Sequence, residues 1–266
     1  MSAEDSAPPT NTPLPDPLFN QSLGKGLQVL QTFMAQRTLT LGEIARLTDM
    51  NKASAQRAVH TLEVLGYVGR DPSTRRFRLL PKVIELGFNY LAGHPLVRLA
   101  HPYLAQLAQA SGETASLTEP VDESMVYIAQ IMTTQTIPVL TPVGMRIPMY
   151  CTSSGRAYLG CLDDAEVRAV LAAAPREART PSTLTDVEAI LTRIQTARHL
   201  GYAINCEELF LGDMGIAAPI VDRHGMPAGA VHLSPPTSRW TLEEATQRLA
   251  PLVRDCARSI SESLAH

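Results

Sequence analysis

The chain lacks the features that would place it in several large functional classes. No apolar run approaches the roughly 18–20 residues needed to cross a bilayer as a helix. The four cysteines (Cys151, Cys161, Cys206 and Cys256) never fall in C-x-x-C spacing, which removes the common zinc and dithiol motifs and suits free thiols in a reducing compartment. There is no G-x-S-x-G, S-x-x-K, Walker A or H-E-x-x-H sequence, so the usual signatures of hydrolases, nucleotide enzymes and zinc proteases are missing. His94 and His101 are separated by a stretch containing Pro95 and make a poor metal pair. The opening MSAEDSAPPTNTPLPDP has neither a basic n-region nor an apolar h-region, so it does not read as a secretory signal. Its acidic, proline-rich composition predicts a disordered tail over residues 1–19. No cofactor, metal or membrane partner is expected, and the expected location is the cytoplasm.

With 266 residues, 45% hydrophobic and 18% charged, the chain is long and apolar enough for two packed domains. Its net charge of −3 does not suggest nucleic acid, but the charge is unevenly spread. Residues 20–82 hold ten basic and four acidic side chains, a surplus of six, so the remainder carries −9 of the total −3. Such asymmetry points to a nucleic-acid module joined to something else.

Local patterns support that division. Leu23, Leu27, Leu30 and Met34 recur on one face of a helix expected over 22–36. Thr40, with Glu43 three residues on, has the form of a capping box before a short helix. A turn at Asp49 and Met50 leads to Asn51, a good N-cap, and then to a helix over 52–65 that stops at Gly66. YVGRD and RFRLL flank turn residues 71–75 as a β-hairpin. Three helices followed by a hairpin is the order of a winged helix-turn-helix. Residues 81–112 read as helical with a break near 93–95. Beyond them, TASLTEPV, MVYIAQIM and IPVLTPV predict strands, and 153–162, 163–174 and 185–200 predict helices. YAINCEE, GIAAPIVD and PAGAVHLS predict three more strands, and one long helix is expected over 241–264. The fold class is therefore α+β, with a largely antiparallel sheet. The expected domains are a tail over 1–19, a winged helix-turn-helix over 20–80, a linker helix over 81–94 and a second domain over 95–266.

On a helical wheel, Ala55, Ala58, Val59, Leu62 and Leu65 fall on one side of the 52–65 helix, and Lys52, Ala53, Gln56, Arg57 and His60 on the other. A polar face with a small residue near its N-terminus suits a recognition helix, in which Gln and Arg pair with base edges in the major groove. Lys52 and Ser54 are candidates for phosphate contacts, as is Thr40 at the preceding helix start. Arg75 and Arg76 at the hairpin are placed to reach neighbouring DNA backbone or minor groove. Taken alone, the same helix also fits a solvated amphipathic surface.

The stretches QSLGKGLQVLQTF, LTLGEIARLTDMNKASAQRAVHTLEVLGYVGRD and RRFRLLPKVIELG carry a resemblance that continues through HPYLAQLAQASGETASL, VGMRIPMYCTSSGRAYL and GYAINCEELFLGDMGIAAPIVDRHGMPAGAVHLS. Over about residues 20–264 the sequence resembles the IclR family of bacterial transcriptional regulators. The resemblance implies a winged helix, a linker helix and a GAF-like α/β effector-binding domain. It implies double-stranded operator DNA as a partner, a homodimer or homotetramer, and RNA polymerase as a further partner. QSLGKGL, RFRLLPKVIELGFNYL and PMYCTSSGR are similar to the subgroup that regulates aromatic-acid breakdown, although Ser154 stands where methionine is frequent. The implied effector is a small, aromatic carboxylic acid, and the implied role is control of a catabolic operon.

Matching the family's effector-contact positions carries over Ser153, Ser154, Asn205, Gly215, His232 and Ser234. The turn 152–155 before a helix offers free amides and hydroxyls to a carboxylate. His232 either pairs with a second acidic or phenolic group on the ligand or is a core histidine bonded to backbone. Gly215 is expected to leave room for a bulkier ligand. Met132, Met145, Met149, Tyr150, Leu211 and Met214 are candidates for an apolar wall. Arg146 and Arg156 are either carboxylate partners or solvated, and Cys151 is either an activated thiol or a wall residue. Two other functions remain open on the residues alone. One is a second domain that only oligomerises. The other is a GAF-like domain with enzymatic activity.

Overall fold

A computed structural model describes residues 18–34, 36–135 and 141–265. The tail expected over 1–19 lies outside these residues but for Leu18 and Phe19, and so does most of the strand expected at IPVLTPV. The chain divides into two compact units, Met1–Asn89 and Tyr90–His266.

The first unit opens with α1 (Gln21–Thr32), capped by Asn20, whose side-chain oxygen accepts the amides of Ser22 and Leu23. The buried face of α1 is not the one its leucines suggest. Val29 and Phe33 enter the core, while Leu23, Leu27 and Met34 are exposed. Both stripes have helical spacing, so periodicity alone does not say which one turns inward. α2 (Leu41–Leu47) starts at the Thr40 capping box, and α3 (Lys52–Val64) starts at Asn51, which accepts the Ser54 amide at 2.8 Å. β1 (Val68–Arg70) and β2 (Phe77–Leu79) pair antiparallel as the wing, and Leu39 bridges to Phe77 beside them. Val29, Phe33, Leu39, Ile44, Val59 and Phe77 belong to one apolar core that these elements share.

α4 (Val83–Gly93) buries none of its residues, and the division between the units falls within it. It ends before α5 (Pro95–Ser111), because Pro95 has no amide hydrogen with which to continue the helix. At this elbow Glu119 accepts a hydrogen bond from the Tyr90 hydroxyl and lies 3.0 Å from His94 Nε2.

The second unit is built on a six-stranded antiparallel sheet of β3 (Ala115–Val121), β4 (Ser124–Ile131), β5 (Arg146–Pro148), β6 (Ala203–Cys206), β7 (Met214–Val221) and β8 (Pro227–Leu233). The spatial order is β5-β4-β3-β8-β7-β6. Between β5 and β6 run α6 (Ser153–Leu159), α7 (Asp164–Ala173) and α8 (Val187–Leu200). β6 is shorter than YAINCEE suggests, because Glu207 takes a positive φ of 56° just beyond it. The expected C-terminal helix is two helices, α9 (Leu242–Arg248) and α10 (Ala250–Leu264). Pro251 sits in the first turn of α10, where its missing amide does no harm, and its ring prevents a continuous helix through that point.

Strand alternation gives the sheet two different faces. Leu117, Met214, Ile216, Ala218, Val231 and Leu233 form an apolar core with α5 and α10. The opposite face, toward α6, carries the polar side chains described next.

Candidate DNA interface and effector site

In the first unit, Lys52, Ala53, Gln56, Arg57 and His60 are exposed along α3, and Arg75 is exposed at the tip of the wing. A cleft of about 260 Å³ between α3 and the wing is lined by Gln56, His60, Arg70 and Arg75, among others. Arg75 takes a left-handed φ of 56°, in a turn that Asp71 organises by accepting the amides of Ser73 and Thr74. The Ser73 hydroxyl, which donates to the same carboxylate at 2.6 Å, together with these amides holds the Asp71 carboxyl down at about 2, ionised at any working pH.

Three expected DNA contacts have other duties. Ser54 is buried, and its amide is committed to the Asn51 cap, so it is not presented to a phosphate. The Thr40 hydroxyl accepts the Glu43 amide and donates to the Glu43 carboxylate. Arg76 turns back onto its own domain, with Nε 3.1 Å from Thr38 Oγ1 and a guanidinium nitrogen 2.8 Å from Glu43 Oε2. It ties the wing to the start of α2. The capping roles of Thr40 and Ser54 are local, but the role of Arg76 follows from tertiary proximity, which the sequence does not display.

In the second unit, Ser153, Asn205, Gly215, His232 and Ser234 converge, and Ser154 follows Ser153 in the first turn of α6. Asn205 pairs with Gly215 across β6 and β7, and the Ser153 amide at the start of α6 donates to Asn205 Oδ1 at 2.8 Å. A Cβ at Gly215 would stand 2.6 Å from Asn205 Oδ1, 2.6 Å from Ser153 Oγ and 2.9 Å from His232 Nε2. Glycine there lets three polar side chains meet, rather than leaving open room for ligand bulk. His232 Nδ1 lies 3.2 Å from Ser234 Oγ, and its ring meets Tyr127 edge-on. Burial pushes the His232 pKa down to about 4, so the ring is neutral at pH 7. Ser153 and Ser154 are fully buried, and neither hydroxyl has a hydrogen-bond partner.

The turn offers fewer free donors than expected. The Ser153 amide is taken by Asn205, and the Gly155 amide by Thr152 Oγ1. A side chain at Gly155 would overlap the backbone of Met149, so glycine is what lets α6 approach this closely. Arg156 is neither solvated nor ligand-facing. It is fully buried and holds Glu208 through two 2.6 Å bonds, with Nε donating to the Tyr150 carbonyl. Arg146 makes a half-exposed pair with Asp122. Cys151 is buried and its thiol is pushed up to about 11, the opposite of an activated nucleophile. Of the expected apolar wall, Met132 and Leu211 are exposed and Met214 belongs to the core on the other face of the sheet.

Sequence reasoning missed several neighbours. Ser116 pairs with His232 across β3 and β8, and Thr118 pairs with Tyr127 across β3 and β4, so all four share the polar face. The alternation in ASLTEPV carried that signal. Asp213 was also missed. Its Oδ1 is buried without a partner, and burial pushes its carboxyl up to about 6.

A basic winged helix-turn-helix joined to a sheet domain with a buried polar cluster defines a regulator of transcription that responds to a ligand. The description "Bacterial transcriptional regulator IclR C-terminal" matches residues 88–262, and "IclR helix-turn-helix domain" matches residues 22–72. The chain belongs to the IclR family. It is 38% identical over 251 residues to the Pca regulon regulatory protein of Pseudomonas putida, covering 94% of this chain and 86% of that one. It is 29% identical to the transcriptional regulator KdgR of Escherichia coli K12, covering 92% and 93%. The IclR transcriptional regulator from Alicyclobacillus acidocaldarius superposes with a TM-score of 0.78 at 28% identity, covering 92% and 98%. These families and relatives are transcriptional regulators rather than enzymes.

Proposed function

We propose that this regulator binds operator DNA as a homo-oligomer and senses a small aromatic carboxylic acid in the cluster around Ser153, Ser154, Asn205, Gly215, His232 and Ser234, thereby controlling a catabolic operon. The observation that carries the sensor reading is the pair of fully buried, unpartnered serine hydroxyls. Buried polar groups are nearly always satisfied, and a ligand oxygen is the natural missing partner. The aromatic class rests on the CTSSGR segment and on the relative named for the Pca regulon.

Lys52, Ala53, Gln56, Arg57 and His60, with Arg75 on the wing, form the DNA-reading surface in this proposal. A two-fold oligomer sets two such helices in successive major grooves, about 34 Å apart. The exposed Leu23 and Leu27 of α1, with Ile84, Leu86 and Phe88 of α4, support self-association, because large apolar side chains left in water mark interfaces. The path from ligand to DNA runs through β3. Ser116 and Thr118 flank the cluster, and the next residue, Glu119, holds the elbow of α4 and α5 through Tyr90 and His94. A ligand shifts DNA affinity only if it binds the two arrangements of the linker unequally.

The test is fluorescence anisotropy on a DNA duplex selected by the protein from random sequence. The titration is run with and without benzoate, hydroxybenzoates, phthalate isomers, pyruvate and glyoxylate. One or a few aromatic acids are expected to change DNA affinity several-fold. A response to pyruvate or glyoxylate alone would refute the aromatic class, and no response at all would favour a domain that only oligomerises.

A further inference from the structure

The wing carries four arginines, Arg70, Arg75, Arg76 and Arg78. Arg76 is spent on Thr38 and Glu43. The other three are exposed, and the hairpin sorts two of them by face. Arg70 pairs with Phe77 across the strands, and Arg78 pairs with Gly69. Residues paired across a ladder share a face, and neighbours along a strand alternate. Phe77 turns into the core, so Arg70 stands on the α3 side of the wing and Arg78 on the side away from it.

Arg70 and Arg75 therefore wall one side of the cleft of about 260 Å³, and the stripe Gln56, His60 and Glu63 of α3 walls the other. Arg70 lies over the Phe77 ring, 5.6 Å from its centroid, which steadies the guanidinium without neutralising it. Among the described residues, none of these five side chains is held by a hydrogen bond or an ion pair within the protein, although a carboxylate and two guanidinium groups line the same cleft. The cleft is thus lined by charges still in want of partners. Its position says what passes through it. A helix in the major groove and a wing beside the adjacent minor groove have one sugar–phosphate strand between them, because that strand is the wall that divides the grooves.

We propose that this cleft seats the phosphate strand between the two grooves, with Arg70 as a phosphate ligand beside Arg75 and with Glu63 as the like charge that stops the strand from entering too far. This deepens the DNA-reading surface described above and rests on it, adding one residue on each wall. A planar guanidinium takes two phosphate oxygens at once, which fixes position without reading sequence. Glu63 lies seven residues beyond Gln56 on α3, about 10.5 Å along the helix. Its unpaired carboxylate repels phosphate at that end of the cleft, so the strand rests where Gln56 and His60 meet base edges. Without that repulsion the strand settles in more than one position, which favours unselected DNA over the operator.

The experiment is fluorescence anisotropy of the full-length protein on the duplex it selects from random sequence and on a scrambled duplex of equal length, over about 0.05–0.3 M salt. The wild type, Arg70→Gln, Arg78→Gln and Glu63→Gln are compared, with thermal melting followed by circular dichroism showing that each is folded. Glutamine at position 70 keeps much of the stem against Phe77 and removes only the charge. Arg70→Gln should lower the slope of log K against log salt by about 0.9 for each bound chain, a loss of about eightfold at 0.1 M salt, and equally on both duplexes. Arg78→Gln removes the same charge from the other face of the same hairpin and should leave the slope close to that of the wild type. Glu63→Gln should tighten the scrambled duplex several-fold and the selected one less, narrowing the ratio between them. A slope unchanged in Arg70→Gln, or lowered as much in Arg78→Gln, would take the backbone out of the cleft and leave only net charge. A loss in Arg70→Gln confined to the selected duplex would overturn the phosphate role, and an unchanged ratio in Glu63→Gln would overturn the part given to Glu63. A wild type that selects no duplex at all would overturn the DNA-reading surface itself, a result distinct from each of these.

Discussion

Replacing Asp213 by asparagine should make the ligand-free protein more stable, by an amount that depends on pH. Burial raises the Asp213 carboxyl from its ordinary 3.8 to about 6. The unfolded chain therefore releases this proton more readily than the folded one. The fold carries no penalty below about pH 3.8, acquires it as pH rises, and bears all of it above about pH 6. A shift of roughly two units corresponds to about 3 kcal/mol. Asp213→Asn keeps the shape and removes the charge, so it should be more stable than wild type by about 3 kcal/mol at pH 8 and by about 2 kcal/mol at pH 5, with no difference below pH 3.5. His232 acts in the opposite sense. Its depressed pKa of about 4 gives stability that is present above about 6.5 and lost as pH falls toward 4. The two therefore oppose one another in the wild type, and only the difference between the proteins isolates Asp213. Urea denaturation followed by Trp240 fluorescence reads the second unit alone, and equal chain concentrations remove the effect of self-association. A stability difference that stays constant from pH 8 to pH 4, or a less stable variant at pH 8, would refute the reasoning.

Arg156→Leu should destabilise the second unit by about 3–5 kcal/mol, because it leaves the Glu208 carboxylate buried and alone; urea titration checks this, and a loss below about 1 kcal/mol contradicts it. Gly155→Ala should cost about 3 kcal/mol or more, since its methyl group would overlap Met149 backbone that cannot swing aside; a near-neutral melting temperature would show that α6 can lift off the sheet freely. Lys52→Ala should weaken DNA binding uniformly across sequences and lower the slope of log K against log salt by about 1, whereas a change confined to one base position would reassign Lys52 to base reading.

The DNA-binding half was legible because its signals are local. Asn51, Thr40 with Glu43, and the turn at Asp71 each act within a few residues, and each forms the expected structure. The choice between the two apolar stripes of α1 was not local, and it went to Val29 and Phe33. Arg76 looked like a free wing cation because its partners, Thr38 and Glu43, lie more than thirty positions away. In the second unit the strands of β3, β7 and β8 showed in their alternation, but the break at Pro251 was lost in an otherwise continuous helical pattern. Ser153, Asn205 and His232 were brought together by resemblance, since no spacing in the chain announces that they meet. Asp213 was invisible for a different reason. An aspartate next to Gly212 reads as an ordinary turn residue, and only the folded sheet shows that its Oδ1 is buried without a partner.

The claim that the serine cluster is the effector site is tested most directly by melting the wild type, Ser153→Val and Ser154→Val with saturating hydroxybenzoate, following Trp240. A ligand that binds only the folded state raises stability by RT ln(1 + [L]/Kd), about 3 kcal/mol at a hundredfold excess over Kd. The wild type should melt several degrees higher with ligand, and both valine variants should fold, bind DNA and lose most of that rise. A ligand-induced rise of the same size in all three proteins would place the effector elsewhere and contradict the account.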